Sequence, residues 1–391
     1  MLRKLLAISL LLLTLSIHAA EVTDVTVAQT VRQIMTEYMT SNQIPGAAVE
    51  VYVDGKPSSY YFGYANRDKK ISVSKNTIFE LGSITKVMTS LLLAQEVDSA
   101  NMQFGDSVTN FLTSLPNAYE DITLMNLATN TSGLPFELPE KITRVDDLYA
   151  YLPNYTPPYS ADERWIYSNV GIGLLGYALE TETHQSFNQL YIRRIMQPLH
   201  MQPFALTVPA RYQHFYAQGY DNNGQPVNPA ELGIFPSAYA VKSSAGDMQK
   251  FLAAAIGLPG TPDRIFYPMR MTEAVYVRVP DKLQGLGWQI HEIKPEDIAG
   301  LLQTEKKSNA GLIPIEEIYE KPTFHGDALI DKTGSTNGFR AYIAFIPNKK
   351  TGIVILTNRG ASDNAIIVAG RKILFSLAKI DMGMKPDAAQ E

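Results

Sequence analysis

The sequence predicts an α+β fold: an antiparallel sheet flanked by N- and C-terminal helices, with a mostly helical lobe inserted. Three observations carry that prediction. Two strand-like runs, Ala47 to Val53 and Ser58 to Ala65, are joined by Asp54-Gly55, a dipeptide that suits the tight turn of a hairpin. Three more such runs close the chain, Ala328 to Thr333, Phe339 to Pro347 and Gly352 to Asn358, with Asn348-Lys349-Lys350 turning between the last two. Between these ends, from Gln95 to about Phe251, the pattern is mostly helical. Early and late strands then share one sheet, covered by the first and last helices.

Taken in order, residues 1–20 read as a secretory leader. Arg3 and Lys4 precede the apolar run Leu5 to Leu15, and Ala19-Ala20 offer a cleavage site with an imperfect His18 before it. The rest, 21–391, reads as a single catalytic domain with an α/β lobe at about 21–82 and 323–391 and a helical lobe at about 83–322. Val27, Val31, Ile34, Met35, Tyr38 and Met39 mark a first helix that stops before Pro45-Gly46. Phe79 to Leu93 reads as a short strand, a Gly turn and an amphipathic helix with Ile84, Val87, Met88, Leu91 and Leu92 on its apolar face. Leu124 to Ala128 is a short helix. Asn169 to Glu180, with Gly171, Gly173 and Gly176, is a helix pressed against a neighbour, and Asp247 to Ala255 is another. Lys294 to Lys321 reads as loop with some helix. Ile366, Ile367, Ala369, Ile373, Leu374 and Leu377 form the face of a final helix.

Composition narrows the function. The chain has 391 residues, 45% hydrophobic and 19% charged, with net charge −5. Losing Arg3 and Lys4 with the leader takes that to −7. Such a mildly acidic, exported product has no electrostatic reason to bind nucleic acid or a membrane surface, and nothing demands more than a monomer. There is no cysteine, which removes thiol nucleophiles and disulfides. The six histidines show no metal-ligand spacing.

Three short motifs carry the chemistry: Ser-x-x-Lys, Tyr-x-Asn and Lys-Thr-Gly. Each has decoys. Ser72 lies in a polar turn and Ser376 near the end of the last helix; Tyr64 and Tyr220 sit at a strand end and in a hydrophilic run; Lys350 is in a hairpin turn. One ordered set has suitable context: Ser83 with Lys86, Tyr167 with Asn169, and Lys332-Thr333-Gly334. Ser83 as a plain helix N-cap, with Lys86 solvated, is the competing reading. In the catalytic reading Ser83 attacks a carbonyl, and Lys86 and Tyr167 share its proton. Lys332 adds positive charge and attracts a substrate carboxylate. Gly334 lets the strand edge approach the substrate. The backbone N–H groups of Ser83 and Ser335 form an oxyanion hole, and Asn169 holds a substrate amide or Lys86.

This ordered triple resembles the serine β-lactamases and penicillin-binding proteins. Tyr-x-Asn as its middle element is similar to class C β-lactamases and their D-alanyl-D-alanine carboxypeptidase relatives. So are Phe79-Glu80-Leu81-Gly82-Ser83, Tyr239-Ala240-Val241-Lys242-Ser243, Gln284-Gly285-Leu286-Gly287-Trp288 and the run from Gly338-Phe339 to Ile346-Pro347. The resemblance spans Ile44 to Leu377. It implies a β-lactamase/DD-peptidase-like fold, a periplasmic enzyme without metal or cofactor, and a small-molecule β-lactam substrate opened through an ester on Ser83. Tyr167, assisted by Lys86 and Lys332, is then the main general base, with both Tyr167 and Lys86 remaining candidates in each half-reaction.

Departures from the family pattern bear on specificity. Glu137 stands where Gln is usual, and a carboxylate cannot donate to an acylamide carbonyl; an altered preference among penicillins and cephalosporins is expected. Asp331 stands where His is common, either pairing with Lys332 or, as we expect, facing solvent. Asp363 and Asn364 compete for a substrate-carboxylate contact, and Asn364 is preferred; an Arg common further along is Ile366 here. Tyr239 either lines the pocket opposite the substrate side chain or packs as an aromatic in a Pro-rich loop, and Trp165 and Trp288 are assigned to the core. The competing functions are a D-alanyl-D-alanine carboxypeptidase or esterase of the same fold, and a β-lactam sensor that acylates without turnover. The intact Lys332-Thr333-Gly334 disfavours the esterase.

Overall fold

The computed structural model describes residues 26–303 and 312–383; the leader assigned to 1–20 lies outside them. A ten-stranded sheet organises the chain. Third from one edge, Gly46–Val53 pairs antiparallel with Thr351–Thr357 on one side and Lys56–Asn66 on the other. The ends of the chain therefore do share one sheet. Asp54 and Gly55 both take positive φ, +49° and +78°, as the two central residues of a type I′ hairpin must. Arg340–Ile346 and then Leu329–Ser335 continue the sheet beyond Thr351–Thr357.

Each central strand feeds two cores, because successive side chains point to opposite faces. On the back face Ala47, Val49, Val51, Leu329, Tyr342 and Ile353 pack under a helix over 26–41 and the final helix Asp363–Leu377. On the front face Ala48, Ile330, Ile343, Phe345 and Val354 join the larger core of the helical region.

Two expectations need correction. The sheet does not end at the late strands: Gln289–His291, Lys282–Gln284, Ala274–Val279 and Glu317–Phe324 extend it in that order beyond Leu329–Ser335. These lie within the stretch read as helical lobe. Two of them are three residues long, too short for an alternating pattern. Glu317–Phe324 is an edge strand with Pro322 in it and mostly exposed side chains, so no apolar face marks it.

The second concerns the helix after Ser83, Thr85–Asp98. It is not amphipathic: every residue from Thr85 to Glu96 is buried. Helices Asn169–Thr183, Pro236–Tyr239 and Asp263–Thr272 surround it. Its polar residues survive burial because they find partners. Thr89 Oγ1 donates to the Ser237 carbonyl at 2.6 Å, and Gln95 Nε2 reaches the carbonyls of Arg194 and Arg264 at 3.0 Å each. Asn169–Thr183 is pressed as expected against its neighbour, since a side chain on Gly173 would collide with the Phe235 ring.

Candidate active site

Ser83 sits in a single 3₁₀ turn, Gly82–Ile84, immediately before the buried helix. It makes no capping bond there: the N-cap positions of turn and helix are Leu81 and Ile84, neither with a side-chain cap. The turn is pushed directly onto the end of strand Leu329–Ser335. A Cβ on Gly334 would strike the Leu81 carbonyl, and one on Gly82, at φ +51°, would strike the Ser335 backbone. Both glycines are thus needed for the hydroxyl of position 83 to stand beside the strand edge. This contact brings the backbone of Ser335 against that of Gly82, one residue before Ser83.

Lys86, one turn on, is fully enclosed with 1% exposure. Its ammonium has three donors, and all three are used: Ser83 Oγ at 3.1 Å, Asn169 Oδ1 at 2.5 Å and the Ala238 carbonyl at 3.0 Å. Asn169 opens its helix behind Ser168, whose Oγ caps the Gly171 N–H at 2.8 Å and donates to the Pro135 carbonyl at 2.6 Å. Segment 130–136 also holds the Tyr167 loop. Asn130, left-handed at φ +64°, accepts from the N–H of Ile166 at 2.8 Å and of Ser168 at 3.1 Å, and the Phe136 carbonyl takes the Asn169 N–H at 2.9 Å.

Between the two lysines stands Tyr167. The Lys86 and Lys332 ammonium nitrogens lie 4.7 and 5.1 Å from its ring centre. Burial alone would raise its phenol. Lys332 and Lys86, with hydrogen bonds from Ser83 and Lys332, overrule burial and bring it down to about 7. Burial pushes the Lys86 ammonium below its ordinary value; Tyr167 pulls it back and Lys332 pushes it down again. A phenol poised near neutrality beside a hydroxyl is suited to take a proton from it.

These groups open into a groove of about 620 Å³ whose wall includes Ser83, Glu137, Tyr167, Tyr239, Lys332 and Thr333. Asn169 and Ser335 also reach it. Lys332 donates to the Thr333 carbonyl at 2.8 Å, so its ammonium is tied to its own strand. The Asn169 amide, bound to Lys86 through Oδ1, donates through Nδ2 to Glu137 Oε1.

Three assignments change. Asp331 neither pairs with Lys332 nor meets solvent; it is 2% exposed on the back of the sheet. There it takes bonds from Arg371 Nη2 at 2.8 Å, Arg371 Nε at 3.1 Å and the Tyr342 hydroxyl at 2.6 Å. Burial would raise its carboxyl, but Arg371, with His291 and Tyr342, holds it well below the usual carboxylate range. The groove is reached by Asp363, not by Asn364. Asp363 is paired there with Arg340 Nε at 2.7 Å and with the Ser335 hydroxyl at 2.5 Å. Trp165, though buried, also lines the groove, whereas Trp288 is wholly in the core.

Lys282 and Phe136 were missed. The Lys282 ammonium lies 4.2 Å from the Trp165 ring centre, and the Phe136 ring stacks on Tyr167 at 6.0 Å. Phe136 had a signal, standing beside Glu137; Lys282 had none, since its strand was not read as one.

Comparison with known proteins now decides the family. A family model described as beta-lactamase matches residues 31–375. The chain belongs to the β-lactamase family. A β-lactamase of Yersinia enterocolitica is 32% identical over 368 residues, covering 91% of this chain and 93% of that protein. A class C β-lactamase solved in complex with cefoxitin superposes with a TM-score of 0.83 at 29% identity, covering 90% of this chain and 99% of that one. A D-alanine carboxypeptidase from Burkholderia cenocepacia gives 0.81 at 28% identity, covering 90% and 99%. The fold is that of the β-lactamases and DD-peptidases, and the chain is a serine β-lactamase of class C type, a hydrolase of β-lactam amides.

Proposed function

We propose that this β-lactamase works in the periplasm, opening cephalosporin-type β-lactams through an ester on Ser83. The observation that carries the reading is the convergence of two ammonium groups on one phenol beside a serine hydroxyl. Tyr167, as phenolate, takes the Ser83 proton while Ser83 Oγ bonds to the lactam carbonyl carbon. The oxyanion rests on the N–H groups of Ser83 and Ser335. As the carbonyl–nitrogen bond breaks, the proton passes from Tyr167 to the leaving ring nitrogen. Water then attacks the ester, giving its proton to Tyr167, and Ser83 recovers a proton as it leaves. Lys86 and Lys332 keep the phenol acidic throughout, and Lys332 with Thr333 binds the substrate carboxylate.

The similarity to a D-alanine carboxypeptidase favours a second reading, in which the same ester forms from an acyl-D-alanyl-D-alanine peptide. Mass spectrometry after mixing with a cephalosporin and a penicillin separates the two. Free enzyme with opened drug supports the lactamase; an adduct on Ser83 that outlasts the drug supports the peptidase or a sensor. Cell fractionation that finds the full-length protein in the cytoplasm would remove the periplasmic assignment.

A further inference from the structure

Two carboxylates reach the groove, and their surroundings differ. Asp363 is neutralised by Arg340 at 2.7 Å and bonded to the Ser335 hydroxyl. Glu137 forms no ion pair among the described residues. Its Oε1 accepts from the Asn169 amide, which leaves acceptor capacity on the carboxylate and nothing with which to donate. A ligand group that meets it must bring a hydrogen, and a cation does so best. Beside it, Phe136 is 52% exposed and stacked on Tyr167. Tyr239, also on the groove wall, feels the Glu137 charge: burial first, and then Glu137, raise its phenol.

We infer that Glu137 and Phe136 form a subsite for a cationic acyl side chain, favouring β-lactams that carry an ammonium next to an aryl ring. The inference rests on the reading that Ser83 opens β-lactam amides. Glu137 supplies the counter-charge in a groove whose wall also carries Lys332, Lys282 and the Arg340-paired Asp363, and Phe136 supplies an aromatic face for the ring. Asn169 stands between Glu137 and Lys86, so the ammonium meets the carboxylate without meeting Lys86 directly.

The test compares two penicillins that differ only in the ammonium, with phenylglycyl and phenylacetyl side chains, in wild type and Glu137→Gln. Gln keeps an oxygen for the Asn169 amide, so the variant removes charge and spares that bond. At about pH 6, where an α-ammonium is charged, the ratio of the two kcat/KM values should fall roughly fivefold in the variant. In wild type the preference should shrink in about 1 M salt and again above the ammonium pKa of about 8. An unchanged ratio, or an equal loss on both substrates, would leave Glu137 only as a holder of Asn169 and overturn the proposal. If wild type opens neither penicillin nor any cephalosporin, the β-lactam reading itself fails, and this one with it.

Discussion

Asp331 and Lys332 are neighbours in one strand, yet they belong to different regions with opposite demands. Side-chain alternation sends Lys332 forward into the groove and Asp331 back under the final helix. Behind the sheet the buried charges Asp331 and Arg371 are matched. Asp331 is held by Arg371 and Tyr342, and Arg371 also lies 3.0 Å from His291 Nε2 and donates to the Leu301 carbonyl at 3.1 Å. In front, two ammonium groups face one phenol with no carboxylate in salt-bridge contact with either lysine among the described residues. The rear arrangement stabilises; the front one leaves a charge imbalance that an anionic substrate and an ionising phenol relieve.

Substitutions should split along that line. Ser83→Ala should lower kcat/KM by on the order of 10⁴-fold or more, with the melting temperature kept, measured by drug hydrolysis and thermal unfolding. Tyr167→Phe follows, with a loss of roughly 10² to 10⁴-fold for a removed general base. Lys332→Met should cost roughly 10²-fold or more in kcat/KM and little stability. Arg371→Met should do the reverse, losing about 3–5 kcal/mol in denaturant unfolding because Asp331 is left buried and unpaired, while the folded enzyme stays active. Equal behaviour of these last two variants would erase the distinction between the faces.

The smallest effect is one of pH. The phenol of Tyr167 is brought down to about 7, so its phenolate is lost as pH falls through that value. kcat/KM should therefore rise with pH through an acid limb near 7. Lys332→Met removes one of the two lowering charges and should move that limb upward. A limb that stays put would assign it to another group.

Much of this was legible in the sequence, for definite reasons. The hairpin at Asp54-Gly55 and the long late strands carry enough residues for their periodicity to be read. The order Ser83, Tyr167, Lys332 survived its decoys because each decoy lay in the wrong local context. What failed was whatever depends on distant partners. Asp331 gives no hint of Arg371, forty residues away, and a strand of three residues such as Lys282–Gln284 shows no alternation. Asp363 and Asn364 are adjacent in a helical first turn, where a rotation of about 100° decides which meets the groove. The helix after Ser83 misled because its polar residues are satisfied by backbone carbonyls of other segments, which no local pattern records.

The most direct test of the whole account is an NMR titration of the free enzyme with ring-labelled tyrosine, the Tyr167 signal being assigned by its absence in Tyr167→Phe. One phenol should ionise with a midpoint near 7, and that midpoint should climb in Lys332→Met. A Tyr167 that stays protonated until about pH 10, like an ordinary tyrosine, would mean that the two lysines do not activate it.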